Sequence, residues 1–388
     1  MKIPANLLQA IPVALLDIFQ QKRAADKVIE YYLRHNKKWG SRDRRFFAET
    51  VYSIVRHYRK LWAQASLPRD QYLQSEKLQS SQMEKLIKVF SEPESVSSET
   101  SLTFAERESY TDWFDELGRR ELGDNWESIA KSLNQQAPVF LRTNTIKTQR
   151  EKLQNLLEQE GVITRVCPEN ETGLVLTERK NVFITKTFQQ GLFEVQDISS
   201  QHVAPLLDPQ PGEKIVDGCA GAGGKTLHLA SLMKNKGRIY AMDIYERKLE
   251  ELRRRSTRAG CDIIETKLID STKVIKRLER SIDGVLLDVP CSGSGVLKRN
   301  PDTKWKFQKE DMERLIKTQR EILQSYSRMV KKGGRLVYAT CSVFPSENIE
   351  QVLNFTQKNP DFKLLNSRSF RPDMESGDGF FTALLVRD

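Results

Sequence analysis

The sequence has few histidines and no Cys-x-x-Cys pair, so its composition argues against a metal centre. Only four histidines accompany five cysteines in 388 residues, and no cluster has the spacing of a zinc site. An odd number of cysteines in a chain of this size also argues against a disulfide framework and favours a reducing compartment. We therefore expect no metal, and we expect a cytoplasmic protein.

A long apolar run is also missing. No stretch reaches the roughly 18 apolar residues that cross a bilayer, so we expect no contact with a membrane. The moderately apolar N-terminus is interrupted by Asn6, Gln9 and Asp17 and lacks a small-residue cleavage site, which favours a helix over a signal peptide.

The chain has an excess of basic residues. Lysine and arginine total 62 against 52 acidic residues, which gives a net charge of +10. That excess suits a polyanionic partner, but a basic protein without a nucleic-acid role is equally compatible with it.

The pattern of apolar residues changes along the chain and predicts three domains. Residues 1–135 have helical spacing and contain a Ser- and Glu-rich linker near 91–103. Residues 136–195 place short strands around one helix, which predicts a small RRM-like α+β unit. Strands and helices alternate through 196–388, and this alternation is typical of a doubly wound, Rossmann-like α/β domain.

Two stretches are candidates for contact with RNA. The helix predicted within residues 41–60 has basic side chains off its apolar face, which would either touch phosphates or be solvated. These side chains are Arg42, Arg44, Arg45, Arg56, Arg59 and Lys60. In the α+β unit, Arg142 and Asn144 are interpreted as pointing outward on an RNA-binding platform, while structural support of the next domain is an equal alternative for the unit.

A glycine-rich turn follows the first strand of the C-terminal domain. The run from Asp217 to Thr226 is DGCAGAGGKT, and its glycines let the backbone approach a ligand closely, at the N-terminus of the next helix. The spacing fits neither GxxxxGK[ST] nor GxGxxG, which disfavours a nucleoside triphosphate.

Three acidic residues are predicted at the ends of later strands, where open α/β sheets bind ligands. They are Asp243, Asp270 and Asp288. We expect Asp243 to accept hydrogen bonds from ribose hydroxyls and Asp270 to reach an adenine.

Two cysteines follow strands that we expect to be neighbours. Cys291 lies in DGVLLDVPCSGSGVLKRNPDTKW and Cys341 in the later run ATCS. Adjacent strands lie roughly 5 Å apart, so both thiols would face one pocket. Methyl transfer to carbon 5 of a pyrimidine uses such a pair, because a thiolate adding at carbon 6 makes carbon 5 nucleophilic and a second group then assists elimination. Residue chemistry favours Cys341 as the nucleophile but leaves Cys291 open, and Asp288 would share a proton with the base.

These motifs carry a specific resemblance. DVPCSGSGVLKRNPDTKW and ATCSVFPSENIEQV resemble the paired motifs of the RsmB/Nop/Sun family of RNA (cytosine-5)-methyltransferases, in its bacterial rRNA branch. The resemblance covers most of the chain, and RDRRFFAETVYSIVRHYRKL is similar to the all-α NusB-like RNA-binding domain of bacterial members. It implies that Cys341 is the nucleophile and that Cys291 helps to release the product.

The resemblance also implies S-adenosylmethionine as the cofactor. The residues that it implies as contacts are Cys219, Ala220, Gly221, Ala222, Gly223, Gly224, Lys225, Asp243, Asp270 and Asp288. Members usually read CAAPGGKT where this chain reads CAGAGGKT. Since a proline stiffens a turn, we expect somewhat weaker cofactor binding here.

The sequence thus predicts a cytoplasmic, monomeric enzyme that forms 5-methylcytosine in RNA, with 16S rRNA as the expected substrate. One alternative is a tRNA cytosine-5 methyltransferase with the same chemistry. Another is a non-catalytic RNA-binding or ribosome-assembly factor, against which the two cysteines and the strand-end acids argue.

Overall fold

The computed structural model describes residues 4–92 and 102–388. It divides the chain into two compact units, of which the first is Met1–Gln136 with Val296–Lys309 and the second is Ala137–Gly295 with Glu310–Asp388. Most of the linker predicted at 91–103 lies outside the described residues. The division into three domains stays a prediction, and the structure adds that Val296–Lys309 belongs to the helical unit.

The first unit is helical where it is described, as the apolar spacing predicts. Ile11, Leu15 and Ile18 from one helix and Phe47 and Val51 from another are buried in a single core. The α-helices are Ala5–Leu8, Ala10–Phe19, Ala25–His35, Ser41–Arg56, Tyr58–Gln64, Ser80–Ser91, Phe104–Arg107, Asp112–Leu122, Trp126–Leu133 and Thr303–Lys306.

Three of the basic residues predicted to lie on an exposed helix face have structural partners instead. Arg44 donates to the carbonyl of Leu33 at 2.6 Å. Arg56 donates to that of Lys298 at 2.8 Å, and Arg59 to that of Tyr110 at 2.7 Å. These three guanidinium groups hold backbone carbonyls within the helical unit, so their role as phosphate contacts is not supported.

The later segment of the helical unit is anchored by two buried side chains. Lys304 donates to the carbonyl of Arg56 and to the amide oxygen of Asn134, both at 2.8 Å. Its ammonium also lies 4.6 Å from the centre of the Tyr110 ring. The indole nitrogen of Trp305 donates to the carbonyl of Val55 at 2.7 Å.

The second unit contains two sheets. The smaller has four strands and is antiparallel. The larger has seven strands, of which five are parallel and the last two of the chain are antiparallel. The predicted α/β fold, with a doubly wound domain, a small α+β unit and a helical N-terminal region, is confirmed.

The bounds of these elements follow the predicted alternation. The strands are β1 Phe140–Thr143, β2 Thr164–Val166, β3 Gly173–Leu176, β4 Phe193–Val195, β5 Lys214–Asp217, β6 Arg238–Asp243, β7 Ile264–Leu268, β8 Ile282–Asp288, β9 Val330–Thr340, β10 Phe362–Phe370 and β11 Phe380–Arg387. The smaller sheet has the order β2-β3-β1-β4, and the larger has the order β10-β11-β9-β8-β5-β6-β7. The α-helices are Arg150–Gln159, Lys186–Gln189, Ile198–Gln201, Val203–Leu206, Gly224–Leu232, Glu246–Ala259, Lys273–Arg277, Lys309–Tyr326 and Ile349–Lys358.

The prediction that Arg142 and Asn144 point outward from the α+β unit is wrong. Their exposed fractions are 2% and 5%. The amide of Asn144 donates to the carbonyls of Gly191 and Ala259, both at 2.8 Å, and Arg142 donates to the carbonyl of Gly224. Both side chains satisfy backbone carbonyls, of Gly191 within the α+β unit and of Gly224 and Ala259 in the following domain, and are therefore not available to RNA.

Candidate active site

The two predicted cysteines meet at the ends of adjacent parallel strands. Asp288, the last residue of β8, pairs with Ala339 near the end of β9. The loops that leave these strands bring the sulfur atoms of Cys291 and Cys341 within 3.3 Å of each other. Both side chains are partly buried, and one thiol can donate to the other.

The surroundings of Cys291 hold it as a thiol. The hydrogen bond with Cys341 raises the pKa of Cys291 well above its ordinary value, with burial and the nearby Glu347 acting in the same direction. Cys291 can therefore donate a hydrogen bond to the sulfur of Cys341. Because only a thiolate is a strong nucleophile, Cys291 is poorly suited to covalent attack.

Backbone hydrogen bonds join the two cysteine loops to a third segment. The amide of Gly295 donates to the carbonyl of Cys341, and the amide of Gly379 donates to the carbonyl of Gly295, both at 2.9 Å. A Cβ atom on Gly295 would lie 1.9 Å from the Gly379 oxygen. Only glycine permits this approach, so the three loops are locked together at Gly295.

A buried carboxylate that sequence reasoning missed also supports the loops. Glu347 is fully buried and accepts from the amide and hydroxyl of Ser292 at 2.8 and 2.5 Å. Gln319 donates to Glu347 at 2.9 Å and to the carbonyl of Pro290 at 3.0 Å. Glu347 was visible in the motif ATCSVFPSENIEQV, but nothing in the sequence showed that residue 292 would be its partner.

A cavity of about 770 Å³ opens beside these loops, over the ends of the parallel strands. Most of the predicted cofactor residues line it: Cys219, Ala220, Gly221, Ala222, Gly224, Lys225, Asp243 and Asp288. Asp217 lines it as well, although it was not predicted as a contact. Gly223 does not line the cavity and instead precedes the helix Gly224–Leu232 with a φ of 90°. Asp270 is exposed beyond the end of β7 and is not among the lining residues.

Asp243, the last residue of β6, is hydrogen-bonded to the glycine-rich turn that follows the neighbouring strand β5. One carboxylate oxygen accepts from the amide of Gly221 and the other from that of Tyr245, both at 2.9 Å. Gly221 has a φ of 54°, a left-handed conformation that glycine adopts without strain. Sequence reasoning missed Gln196, Lys248 and Arg255 among the lining residues, because they come from other elements.

Two further acids in the cavity have contrasting environments. The ammonium of Lys225 lies 2.6 Å from Asp288. Asp217 is buried, and although one of its oxygens accepts from the hydroxyl of Thr226 at 2.7 Å, the other has no hydrogen-bond partner. Burial raises the pKa of Asp217 to about 7, and the nearby charge of Asp288 acts in the same direction. A ligand with a positive charge or a donor would satisfy the unpaired oxygen.

Neither a metal cluster nor a membrane helix is found in the described parts of the chain. No three His, Cys, Asp or Glu side chains within 4–92 and 102–388 are grouped so that they could hold a metal ion. Within the same ranges, no helix has the length and apolar character needed to cross a bilayer.

Comparison with known proteins shows which family the chain belongs to. Residues 204–386 match the family described as 16S rRNA methyltransferase RsmB/F, and residues 110–183 match the ferredoxin-like domain of RsmF/B-like methyltransferases. The chain is 38% identical to ribosomal RNA small subunit methyltransferase B of Proteus mirabilis over 264 residues, which are 67% of this chain and 61% of the relative. The match thus spans about three fifths of that relative's length.

Two solved structures extend the likeness. The crystal structure of PH0851 is 26% identical and superposes with a TM-score of 0.83 over 99% of both chains. A methyltransferase homologue from Pyrococcus horikoshii is 30% identical, with a TM-score of 0.66 over 75% of this chain and all of that one. The family resemblance drawn from the motifs is confirmed, and the chain belongs to the RsmB/F family.

Proposed function

We propose that this protein transfers a methyl group from S-adenosylmethionine to carbon 5 of a cytosine in RNA, through a covalent adduct between Cys341 and carbon 6. The observation that carries the proposal is the 3.3 Å separation of the Cys291 and Cys341 sulfurs. Neither cysteine lines the cavity itself, but Pro290, which precedes Cys291, lines it together with the glycine-rich turn. Transfer to an exocyclic amine requires no thiol, whereas transfer to carbon 5 of a pyrimidine uses a nucleophile and a second group for release.

The cavity suits this cofactor. Asp243 lies at the strand end where ribose hydroxyls are bound in dinucleotide folds, and Asp217 offers an unpaired, buried oxygen to a positively charged ligand. When bound, S-adenosylmethionine supplies an electrophilic methyl group. Asp270 remains a predicted contact of the adenine, although it is exposed and outside the cavity lining.

The two cysteines divide the work on the base. As the Cys341 sulfur bonds to carbon 6, the double bond between carbons 5 and 6 gives its electrons to carbon 5, which takes up the methyl group while the rest of the donor leaves as a neutral thioether. Transfer of the carbon 5 proton to water then restores the double bond while the bond from carbon 6 to sulfur breaks. The Cys291 thiol, hydrogen-bonded to the Cys341 sulfur, is placed to stabilise the departing thiolate.

Asp288 and Lys225 act on the other side of the base. Addition of the thiolate places negative charge on the ring, which a proton shared between the amidine edge of cytosine and Asp288 would neutralise. The ion pair of Asp288 with Lys225, at 2.6 Å, fixes the orientation of the carboxylate. Lys225 is thus proposed to orient Asp288.

RNA is the proposed substrate, with small-subunit rRNA as the favoured RNA. Relatives named ribosomal RNA small subunit methyltransferase B and a net charge of +10 support it. The target base must leave its stack to reach the thiols, so we expect an unpaired or loosened cytosine. The NusB-like character of the helical unit, a monomeric state and a cytoplasmic location stay predictions.

The adduct gives the proposal a direct test. The purified protein is incubated with small-subunit rRNA and S-adenosylmethionine carrying a labelled methyl group. Cys341→Ala is expected to abolish 5-methylcytosine formation, because no thiolate adds to the base. Cys291→Ala is expected to accumulate a protein–RNA adduct that survives a denaturing gel, because release is slowed. Turnover by Cys341→Ala at a rate near the wild-type value would exclude the mechanism.

The same assay identifies the RNA substrate and the methylated product. Parallel reactions with tRNA separate the rRNA enzyme from a tRNA enzyme of the same chemistry. The double variant Cys291→Ala, Cys341→Ala is the control for the gel, since it should form no adduct. A wild-type protein that binds RNA but forms no methylated base on any of these RNAs would instead support a non-catalytic RNA-binding factor.

A further inference from the structure

The glycine turn of the cavity is held by two arginines. Arg255 donates to the carbonyl of Ala222 at 2.7 Å, and Arg142 donates to the carbonyl of Gly224 at 2.6 Å. Between these residues lies Gly223, whose φ of 90° is in the left-handed region. The two arginines therefore fix the peptide plane before Gly223 and the peptide plane after Gly224.

One buried carboxylate orients the first of these arginines. Glu194, with an exposed fraction of 4%, accepts from Arg255 at 2.9 Å through one oxygen and from Arg258 at 2.5 Å through the other. Arg255 thus bridges Glu194 and Ala222 with its two terminal nitrogens. A guanidinium makes these two bonds from two nitrogens held in one plane, whereas a lysine has a single nitrogen on a shorter side chain.

Arg142 and Glu194 come from the small antiparallel sheet. They are paired residues on β1 and β4, so their side chains lie on the same face of that sheet. Arg142 also donates to the side-chain oxygen of Gln196. Burial lowers the pKa of Arg142 to about 10, which still leaves it charged at neutral pH. Neither Arg142 nor Glu194 lines the cavity.

We infer that Arg142 and Glu194 are positioning residues for S-adenosylmethionine, which keep the glycine turn in the conformation that receives the ligand. The inference deepens the proposed function and rests on it. It assigns the small α+β sheet a role in support of the cofactor turn, in place of the RNA contacts predicted for Arg142. The binding of a ligand to a loop costs less free energy when the loop is already ordered.

Conservative variants test the inference by calorimetric titration of the full-length protein with S-adenosylmethionine. Glu194→Gln keeps the shape of the side chain but removes the charge that orients Arg255. Arg142→Lys replaces the guanidinium, whose Nη1 donates to both Gly224 and Gln196, by a side chain that ends one atom earlier. Each is expected to raise the dissociation constant about tenfold, the usual effect of one charged hydrogen bond. With saturating S-adenosylmethionine and RNA, kcat should stay within about twofold of wild type, because neither residue touches the reacting atoms.

Arg255→Lys and Arg258→Lys form a matched pair. Both arginines lie on the helix Glu246–Ala259 and both contact Glu194, but only Arg255 reaches the turn. Arg255→Lys should weaken cofactor binding like Glu194→Gln, while Arg258→Lys should bind as the wild type does. Equal weakening in both would overturn the inference, because loss of any ion pair to Glu194 would then suffice.

The outcomes separate this inference from the proposed function. If the wild-type protein does not bind S-adenosylmethionine, the proposed function fails. If the wild type binds and Glu194→Gln and Arg142→Lys bind equally well, only the positioning role fails. Should Glu194→Gln not fold, judged by its thermal melting curve, Arg142→Lys and the lysine pair decide the question.

Discussion

At the scale of the residue, the buried Asp217 makes stability depend on pH. Its pKa is raised from 3.8 to about 7, so between these values the folded protein keeps a proton that the unfolded chain has lost. The contribution of Asp217 to stability is therefore complete below pH 3.8 and is lost as the pH rises through about 7. Asp217→Asn cannot ionise and should lack this dependence.

Unfolding by urea between pH 5 and pH 8 measures the effect without cofactor. The free energy of unfolding of the wild type, relative to that of Asp217→Asn, should fall by roughly 3 kcal/mol over this range. Thr226→Val, which removes the hydrogen bond to the other carboxylate oxygen, is a control that keeps the titrating group. If the free energies of unfolding of the wild type and of Asp217→Asn change with pH in parallel, Asp217 is ionised in the folded protein over the whole range and the prediction is wrong.

Sequence patterns predicted individual residues best where a residue ends a strand. Asp243, Asp288, Cys291 and Cys341 were found because strands of one parallel sheet end at a common edge. Glu347 was not identified, because its role depends on partners brought together only by the fold. A buried acid and an exposed acid look alike in a sequence, and periodicity does not separate them in a loop.

At the scale of the element, the cysteine loops depend on a glycine with no room for a side chain. Gly295→Ala would place its Cβ 1.9 Å from the carbonyl oxygen of Gly379 and 2.9 Å from that of Cys341. The loops would have to separate, so we expect a loss of about 1–3 kcal/mol in stability and a loss of methyl transfer. Thermal melting and the methylation assay measure the two effects.

Gly40→Ala is the matched control for Gly295→Ala. A Cβ at Gly40 meets no atom within 4 Å, so the same chemical change should leave activity unaltered. Its effect on melting should be limited to a weaker N-cap for the helix Ser41–Arg56. Normal activity in Gly295→Ala would mean that the separation of the sulfurs does not depend on this close approach.

The elements themselves were predictable from periodicity, but their side-chain contacts were not. The strand β1 was recognised from its apolar and β-branched residues, while Arg142 within it was expected at the surface because arginine usually lies there. The fold overrides that tendency by supplying the carbonyl of Gly224 as a partner. Likewise, the absence of a proline at Ala222 suggested a looser turn, and the bond from Arg255 could not be seen in the sequence.

At the scale of the whole molecule, chain order predicted the sheet but not the composition of the helical unit. Alternating strands and helices are local signals, and they gave the parallel fold correctly. The stretch Val296–Lys309 follows the Cys291 loop without a break in pattern, yet it belongs to the helical unit. Its anchors, Val55 and Arg56, lie 250 and 248 residues earlier than Trp305 and Lys304, a distance over which no local pattern carries information.

This discontinuous packing predicts that one distant tryptophan stabilises the N-terminal helices. Trp305 is 7% exposed and packs edge-on against the ring of Tyr58 at 5.5 Å. Trp305→Ala in the full-length protein should cost about 3–5 kcal/mol in the unfolding of the helical unit, because it leaves a cavity and an unpaired carbonyl at Val55. Trp305→Phe keeps a ring and loses only the hydrogen bond, so it should cost about 1 kcal/mol.

Hydrogen exchange of the amides in Ser41–Arg56 measures the effect of both variants. Phe183→Ala is the control, because the side chain of Phe183 is 56% exposed. Exchange rates in Trp305→Ala equal to those of the wild type would show that the N-terminal helices hold together without the later segment.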